Sequence, residues 1–128
     1  MGDGTMSTIK VDNLKTTGGA DLYTSKAWAS WDGTGTVSIF ASGNVSSILD
    51  NGTGLWTVNF TNSVASTGYC TAMNVGKGDA VGDLNVAAHY RSEVSGTVKS
   101  TSSVRCCSAH KSNYVSADHG IVELTLTM

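Results

Sequence analysis

The sequence predicts an all-β protein, an antiparallel β-sandwich of about seven or eight short strands. Segments that alternate apolar and polar residues recur along the chain, and turn clusters rich in Gly, Asn and Asp separate them. Ser, Thr and Gly are abundant, whereas long runs of helix-forming residues are absent. At 128 residues the chain has room for one core, so we expect a single sandwich.

The first 23 residues differ in composition from the rest and predict an N-terminal attachment arm, with the sandwich covering residues 24–128. Ile9, Val11 and Leu14 alternate only loosely and are too few to form a core of their own. The cluster Thr16–Asp21 has the composition of a turn or linker. We therefore expect the arm to pack against symmetry mates or an anchoring partner protein.

The first predicted hairpin joins the strand segments Lys26–Trp31 and Val37–Phe40. The loop between them, residues 32–36, contains Asp and Gly residues that readily adopt turn conformations.

The second predicted hairpin spans Val45–Phe60 and is the strongest local signal in the chain. Asn51-Gly52 supplies the positive φ angles of a tight turn, which would pair Ser47–Leu49 with Leu55–Thr57. The second arm places Trp56, Val58 and Phe60 on one apolar face, and a second layer must cover that face.

The remaining strands are predicted from their periodicity. Tyr69–Val75 has the pattern of a central strand, Leu84–Tyr90 and Ser103–Ala109 are further strand candidates, and Val122–Met128 alternates as a half-buried strand. The intervening segment Arg91–Ser102 is polar and long, so we expect a variable surface loop there.

Charge and composition argue against several classes of function. Eight Lys and Arg stand against ten Asp and Glu, with a pI near 5.8, so no basic surface is expected for nucleic acid or for insertion at a membrane. No apolar run approaches the length of a transmembrane helix, and the N-terminus lacks the order of a signal peptide. Cys70, Cys106 and Cys107 form no disulfide framework, no ligand spacing indicates a metal, and no cofactor is expected.

The aromatic residues are the candidate ligand contacts, because aromatic faces stack on the apolar side of sugar rings. Trp56 is expected in the core, and Trp31, which adjoins a glycine-rich turn, is expected to be more exposed than Trp28. The predicted ligand-binding set is Trp31, Tyr90 and His89. No catalytic residue is predicted, because the chain has no G-x-S-x-G elbow and only two Glu residues to serve as paired carboxylates.

One stretch of the chain has a recognisable combination of segments, namely Lys26-Ala27-Trp28, Phe40, Asn44–Gly54 and Thr57–Phe60. Together they resemble the C-terminal domains of bacteriophage tail fibres, especially those of marine and cyanobacterial phages. The resemblance covers about Lys26 to Val75 and extends to the opening Met6–Leu14. It departs from the family's usual residues at Leu55-Trp56 and before Tyr69.

The resemblance implies a homotrimer of β-sandwiches carried on the virion, in a tail fibre or on its exterior surface. Such a protein is not an enzyme and adheres to a host cell-surface receptor, which we expect to be a glycan. The arm would then contact other phage tail or capsid proteins. The alternative is a virion decoration or adaptor that docks on capsid or tail without binding a receptor.

Overall fold

The structure, a computed structural model, describes residues 8, 15–19, 24–76, 85–86, 97–110 and 116–128. Within these ranges the chain is all-β and contains no helix. In chain order the strands are β1 (Ser25–Asp32), β2 (Ser38–Gly43), β3 (Val45–Gly52), β4 (Leu55–Phe60), β5 (Cys70–Gly76), β6 (Asn85–Val86), β7 (Ser103–Cys107), β8 (Ala109–His110) and β9 (Ile121–Thr127).

The strands form two antiparallel sheets and a short ribbon. The larger sheet has the order β2-β1-β9-β5, and the smaller sheet has the order β3-β4-β7. The ribbon consists of β6 and β8. The predicted antiparallel β-sandwich is therefore confirmed.

The core lies between the two sheets and follows the alternation of the strands. In β4 every second residue from Trp56 to Phe60 is buried, as their shared face predicts. In β9 every second residue from Val122 to Leu126 is buried, and this strand lies between β1 and β5. The expectation that the C-terminal strand lies inside its sheet is confirmed.

The hairpin of β3 and β4 exists, but its predicted turn is wrong. The two residues between the strands are Thr53 and Gly54, and Asn51 lies in β3 without a positive φ. Leu49 pairs with Thr57, so the register is displaced by two residues from the predicted one. A bulge at the end of β3 absorbs the extra residue that this turn requires.

Contacts from distant parts of the chain hold Gly54 at the turn. Its N–H donates to Asp118 Oδ1 at 2.7 Å, and its carbonyl accepts from the Ser108 N–H at 2.8 Å. A Cβ at Gly54 would overlap backbone atoms of Ser108 and Ala117. Glycine is required here both for this close approach and for a φ of 65°.

The segment Tyr69–Val75 forms the predicted strand but not a central one. β5 lies at the edge of its sheet, and β9 is its only paired neighbour among the described strands. Its alternation is as predicted, because Tyr69 is buried and Cys70 is exposed. Alternation reports which face is buried and not whether both edges are paired, so the pattern could not distinguish the two positions.

Asn44 carries the chain from one sheet to the other. It is the single residue between β2 and β3, and its φ is 55°, a value that few side chains other than Asn tolerate. Its side-chain Nδ2 donates to Lys26 O at 2.9 Å and to Asn62 O at 3.0 Å, and its Oδ1 accepts from the Asn62 N–H at 2.8 Å. The amide thus ties the start of β1 to the chain that follows β4.

Tyr69 ties the sheets together on the opposite side of the sandwich. Its hydroxyl lies 3.0 Å from Ser100 O and 3.1 Å from Ser103 O, the carbonyls that accept its hydrogen bond. The Lys99 ammonium lies 4.5 Å from the centre of the Tyr69 ring and donates to the Tyr69 carbonyl at 2.5 Å. These contacts anchor the part of the predicted Arg91–Ser102 loop that the structure describes.

Candidate binding surface

The predicted order of exposure of the two tryptophans in β1 is wrong. Trp31 is 0% exposed, whereas Trp28 is 42% exposed. Ala27, Ala29 and Trp31 face the core because alternate residues of β1 share one face. Trp31 packs edge-on against Trp56 with ring centroids 5.8 Å apart, so it offers no face to a ligand and is a core residue.

The other predicted site residues lie outside the described residues. This holds for Tyr90 and His89 of the ligand-binding set, and for Ile9, Val11 and Leu14 of the arm. Their roles stay predictions.

Trp28 lies on the outer face of the larger sheet, where the strands β1 and β2 pair. It is opposite Gly43 on β2 and opposite Thr125 on β9. A Cβ at position 43 would clash with the Trp28 indole, so the ring lies directly over the backbone of Gly43. The glycine therefore lets the indole lie across the edge strand instead of projecting from the sheet.

Small and polar side chains surround Trp28 on this outer face. Ser30 follows on the same face of β1 and is paired with Ala41 on one side and Glu123 on the other. Thr125 and Glu123 are both exposed, and Ser30 is half-buried. An exposed ring beside hydroxyl and carboxylate groups can stack on the apolar face of a sugar while the polar groups bind its hydroxyls. We name the set Trp28, Ser30, Glu123 and Thr125 the Trp28 face.

Further exposed apolar residues lie along the two strands that Asn44 connects. Ile39 and Phe40 are exposed on β2, and Leu49 is exposed on β3. The pairing of β1 and β2 contains a bulge, and Phe40 is the residue of β2 that has no register partner on β1. Both strands are edges of their sheets, so one side of the sandwich presents apolar side chains beside backbone groups that no described strand pairs.

A buried Ser–His contact lies beneath the hairpin turn, and nothing in the sequence pattern singles it out. Ser108 Oγ lies 2.9 Å from His119 Nδ1 and donates to Ala117 O at 2.7 Å. His119 Nδ1 lies 3.0 Å from the same carbonyl, which can only accept, so this ring nitrogen carries a proton. Ser108 and His119 are both buried, so the contact is inaccessible to a substrate. Backbone hydrogen bonds hold the same segments together: the Ser108 N–H donates to Gly54 O, the Ala117 N–H donates to Ser108 O, and the Gly33 N–H donates to His119 O.

The three cysteines are thiols, as their spacing predicts. Cys70 is exposed, while Cys106 and Cys107 are both buried. Burial raises the pKa of the Cys106 thiol far above its usual range, and the neighbouring Cys107 adds to this shift. A thiol held protonated in this way is a poor nucleophile and a poor metal ligand.

Two kinds of feature are absent from the described part of the chain. No three His, Cys, Asp or Glu side chains come together there in a group that could hold a metal ion. No helix long and apolar enough to span a membrane is found there either.

The chain matches no protein-family model, no curated protein and no solved structure.

Proposed function

We propose that this chain is a non-enzymatic part of a phage virion, a tail fibre or fibre-tip domain that adheres to a glycan on the surface of the host cell. The observation that carries the proposal is the exposed indole of Trp28, which lies over the backbone of Gly43 on the outer face of the larger sheet. A sandwich gives this ring a rigid platform, since β1 is paired on both sides. Recognition then needs no change in the backbone.

The chemistry of the Trp28 face supports a sugar as the ligand. Its polar groups, Ser30, Glu123 and Thr125, are oxygen-bearing side chains that hydrogen-bond hydroxyls. The face combines one apolar ring with polar side chains around it, which suits a carbohydrate better than a hydrophobic small molecule. The sequence resemblance of Lys26 to Val75 to tail-fibre domains supports the same class of ligand.

Hydrolysis of the glycan is not part of the proposal. The Ser108–His119 contact is buried, so it has no access to a glycosidic bond. Glu123 is exposed on the outer face, and a glycosidase needs a second carboxylate within several ångströms on the other side of the bond. Glu93, the second Glu of the chain, lies outside the described residues.

A glycan array tests the proposal. The full chain is labelled and applied to an array of bacterial lipopolysaccharides, capsular polysaccharides and their oligosaccharides. We expect binding to a restricted set of these glycans, with each bound glycan recovered at its original length. Binding to none of them would contradict the proposal and favour the virion decoration or adaptor. Shortened glycans would contradict the non-enzymatic assignment.

A further inference from the structure

Asn51 and Gly52 form the single Asn-Gly pair of the sequence, and both lie at the end of β3. An Asn side chain followed by glycine can cyclise, because no Cβ hinders the approach of the next backbone nitrogen to the side-chain carbonyl carbon. Asn51 is half-buried and Gly52 is exposed, so water reaches the pair. Burial therefore does not block the reaction.

We propose that Asn51 is a site of spontaneous deamidation and that the hydrogen bonds of the hairpin set its rate. The Gly52 nitrogen loses its proton and forms a bond to Asn51 Cγ, and the bond from Cγ to Nδ2 breaks with release of ammonia. Water then opens the cyclic imide at one of its two carbonyls. The product is an aspartate or an isoaspartate, and no oxidant or reductant takes part.

The structure holds both reacting groups in other contacts. Asn51 Nδ2 donates to Thr57 Oγ1 on β4 at 2.6 Å. The Gly52 N–H donates to Asp50 Oδ1 at 2.9 Å. Cyclisation requires both hydrogen bonds to break and the Asn51 side chain to turn from the neighbouring strand toward its own backbone. The reaction therefore proceeds from a locally opened hairpin and not from the closed one.

Deamidation would weaken the hairpin that it occurs in. It replaces an amide by a carboxylate one residue from Asp50, and the donor to Thr57 Oγ1 is lost. The isoaspartate form also adds a methylene group to the backbone of β3, which shifts the register of the last pairs with β4. A slow chemical change at one residue would thus loosen the turn that Gly54 anchors.

Thr57→Val tests whether the hydrogen bond from Asn51 to Thr57 slows deamidation. Valine keeps the branched shape of threonine and removes the oxygen that accepts from Asn51. The full-length wild type and this variant are incubated at neutral pH, folded and in denaturant, and deamidation is followed at each Asn by peptide mapping with mass spectrometry. Thr125→Val, an exposed threonine of β9, is the matched control. Asn62, which precedes Ser63, is exposed and lies outside the hairpin, so it is an internal reference for changes that are not specific to Asn51.

We expect Asn51 of the folded wild type to react at least about tenfold more slowly than in denaturant. Thr57→Val should speed the folded reaction at Asn51 about fivefold, the equivalent of one neutral hydrogen bond, and leave Asn62 unchanged. Thr125→Val should match the wild type. Equal rates in folded and denatured wild type, an unchanged rate in Thr57→Val, or equal acceleration at Asn51 and Asn62 would each overturn the proposal.

Discussion

Asn44 shows how one side chain can define the connection between two sheets. Its backbone adopts a left-handed conformation, and its amide satisfies three backbone groups from two other segments. Gly43-Asn44 has the composition of a turn and lies between the two predicted hairpins. Its partners Lys26 and Asn62 are each 18 residues away, so no local pattern could identify them.

Asn44→Ala should lower the free energy of unfolding by about 3 kcal/mol, because it removes the hydrogen bonds and strains the left-handed backbone. Asn44→Gly should cost less, since glycine accepts the backbone conformation without strain. Urea unfolding measures both. Asn74→Ala on the exposed face of β5 is the control and should stay within about 0.5 kcal/mol of the wild type. Equal stability of Asn44→Ala and the control would contradict the role of Asn44.

The sequence contains enough information to predict which of Trp28 and Trp31 is exposed. The two residues lie on opposite faces of β1, so only one of them can face the core. Lys26 and Ser30 share the face of Trp28, and burying that face would bury a lysine. The glycine-rich loop after Trp31 favoured the wrong choice, because it indicates the end of the strand but not the direction of its last side chain.

Among the elements, the hairpin of β3 and β4 is predicted correctly from the sequence, but the register in which its two strands pair is not. Asn51-Gly52 and Thr53-Gly54 are both plausible turns by their chemistry. The two registers differ by two residues and leave the same side chains facing the core, so the apolar pattern does not distinguish them. The choice depends on the contacts of Gly54 with Ser108 and Asp118.

Two glycine substitutions test this turn. Gly52→Ala should cost about 1–2 kcal/mol, because alanine pays for a positive φ while its Cβ meets no atom within 4 Å. Gly54→Ala should lose roughly a further 1–3 kcal/mol, since its Cβ also overlaps the backbone of Ser108 and Ala117. Thermal or urea unfolding ranks the two variants. A larger loss for Gly52→Ala would place the critical turn at Asn51-Gly52.

At the scale of the molecule, the two sides of the sandwich differ. Tyr69 and Lys99 hold the described loop against one side, where β5 and β7 end their sheets. On the other side β2 and β3 present backbone edges with Phe40 and Leu49 exposed. The sandwich could be predicted because the alternation of apolar and polar residues and the spacing of turns are both local features of the sequence. It could not predict which strands form edges, because pairing joins segments far apart in the chain.

We expect these edges to be covered in a homotrimer, in which symmetric contacts remove exposed edges. The trimer number comes from the tail-fibre resemblance. Light scattering on the full chain and on a version that begins at Tyr23 measures the mass of each. A trimer for the full chain alone assigns the contact to the arm, and a trimer for both assigns it to the sandwich. A monomeric mass for both would refute the oligomer.

The central claim is that the Trp28 face binds a glycan. The most direct measurement is a calorimetric titration of the glycan that binds best on the array, with wild type, Trp28→Ala and Ile121→Ala. Ile121 is the matched control, because it is 41% exposed and lies at the start of β9, which is not an edge strand. Trp28→Ala should weaken affinity at least about tenfold, the loss of one stacked ring, while its circular-dichroism spectrum stays that of the folded protein. Ile121→Ala should bind as the wild type does. Unchanged affinity in Trp28→Ala would contradict the claim.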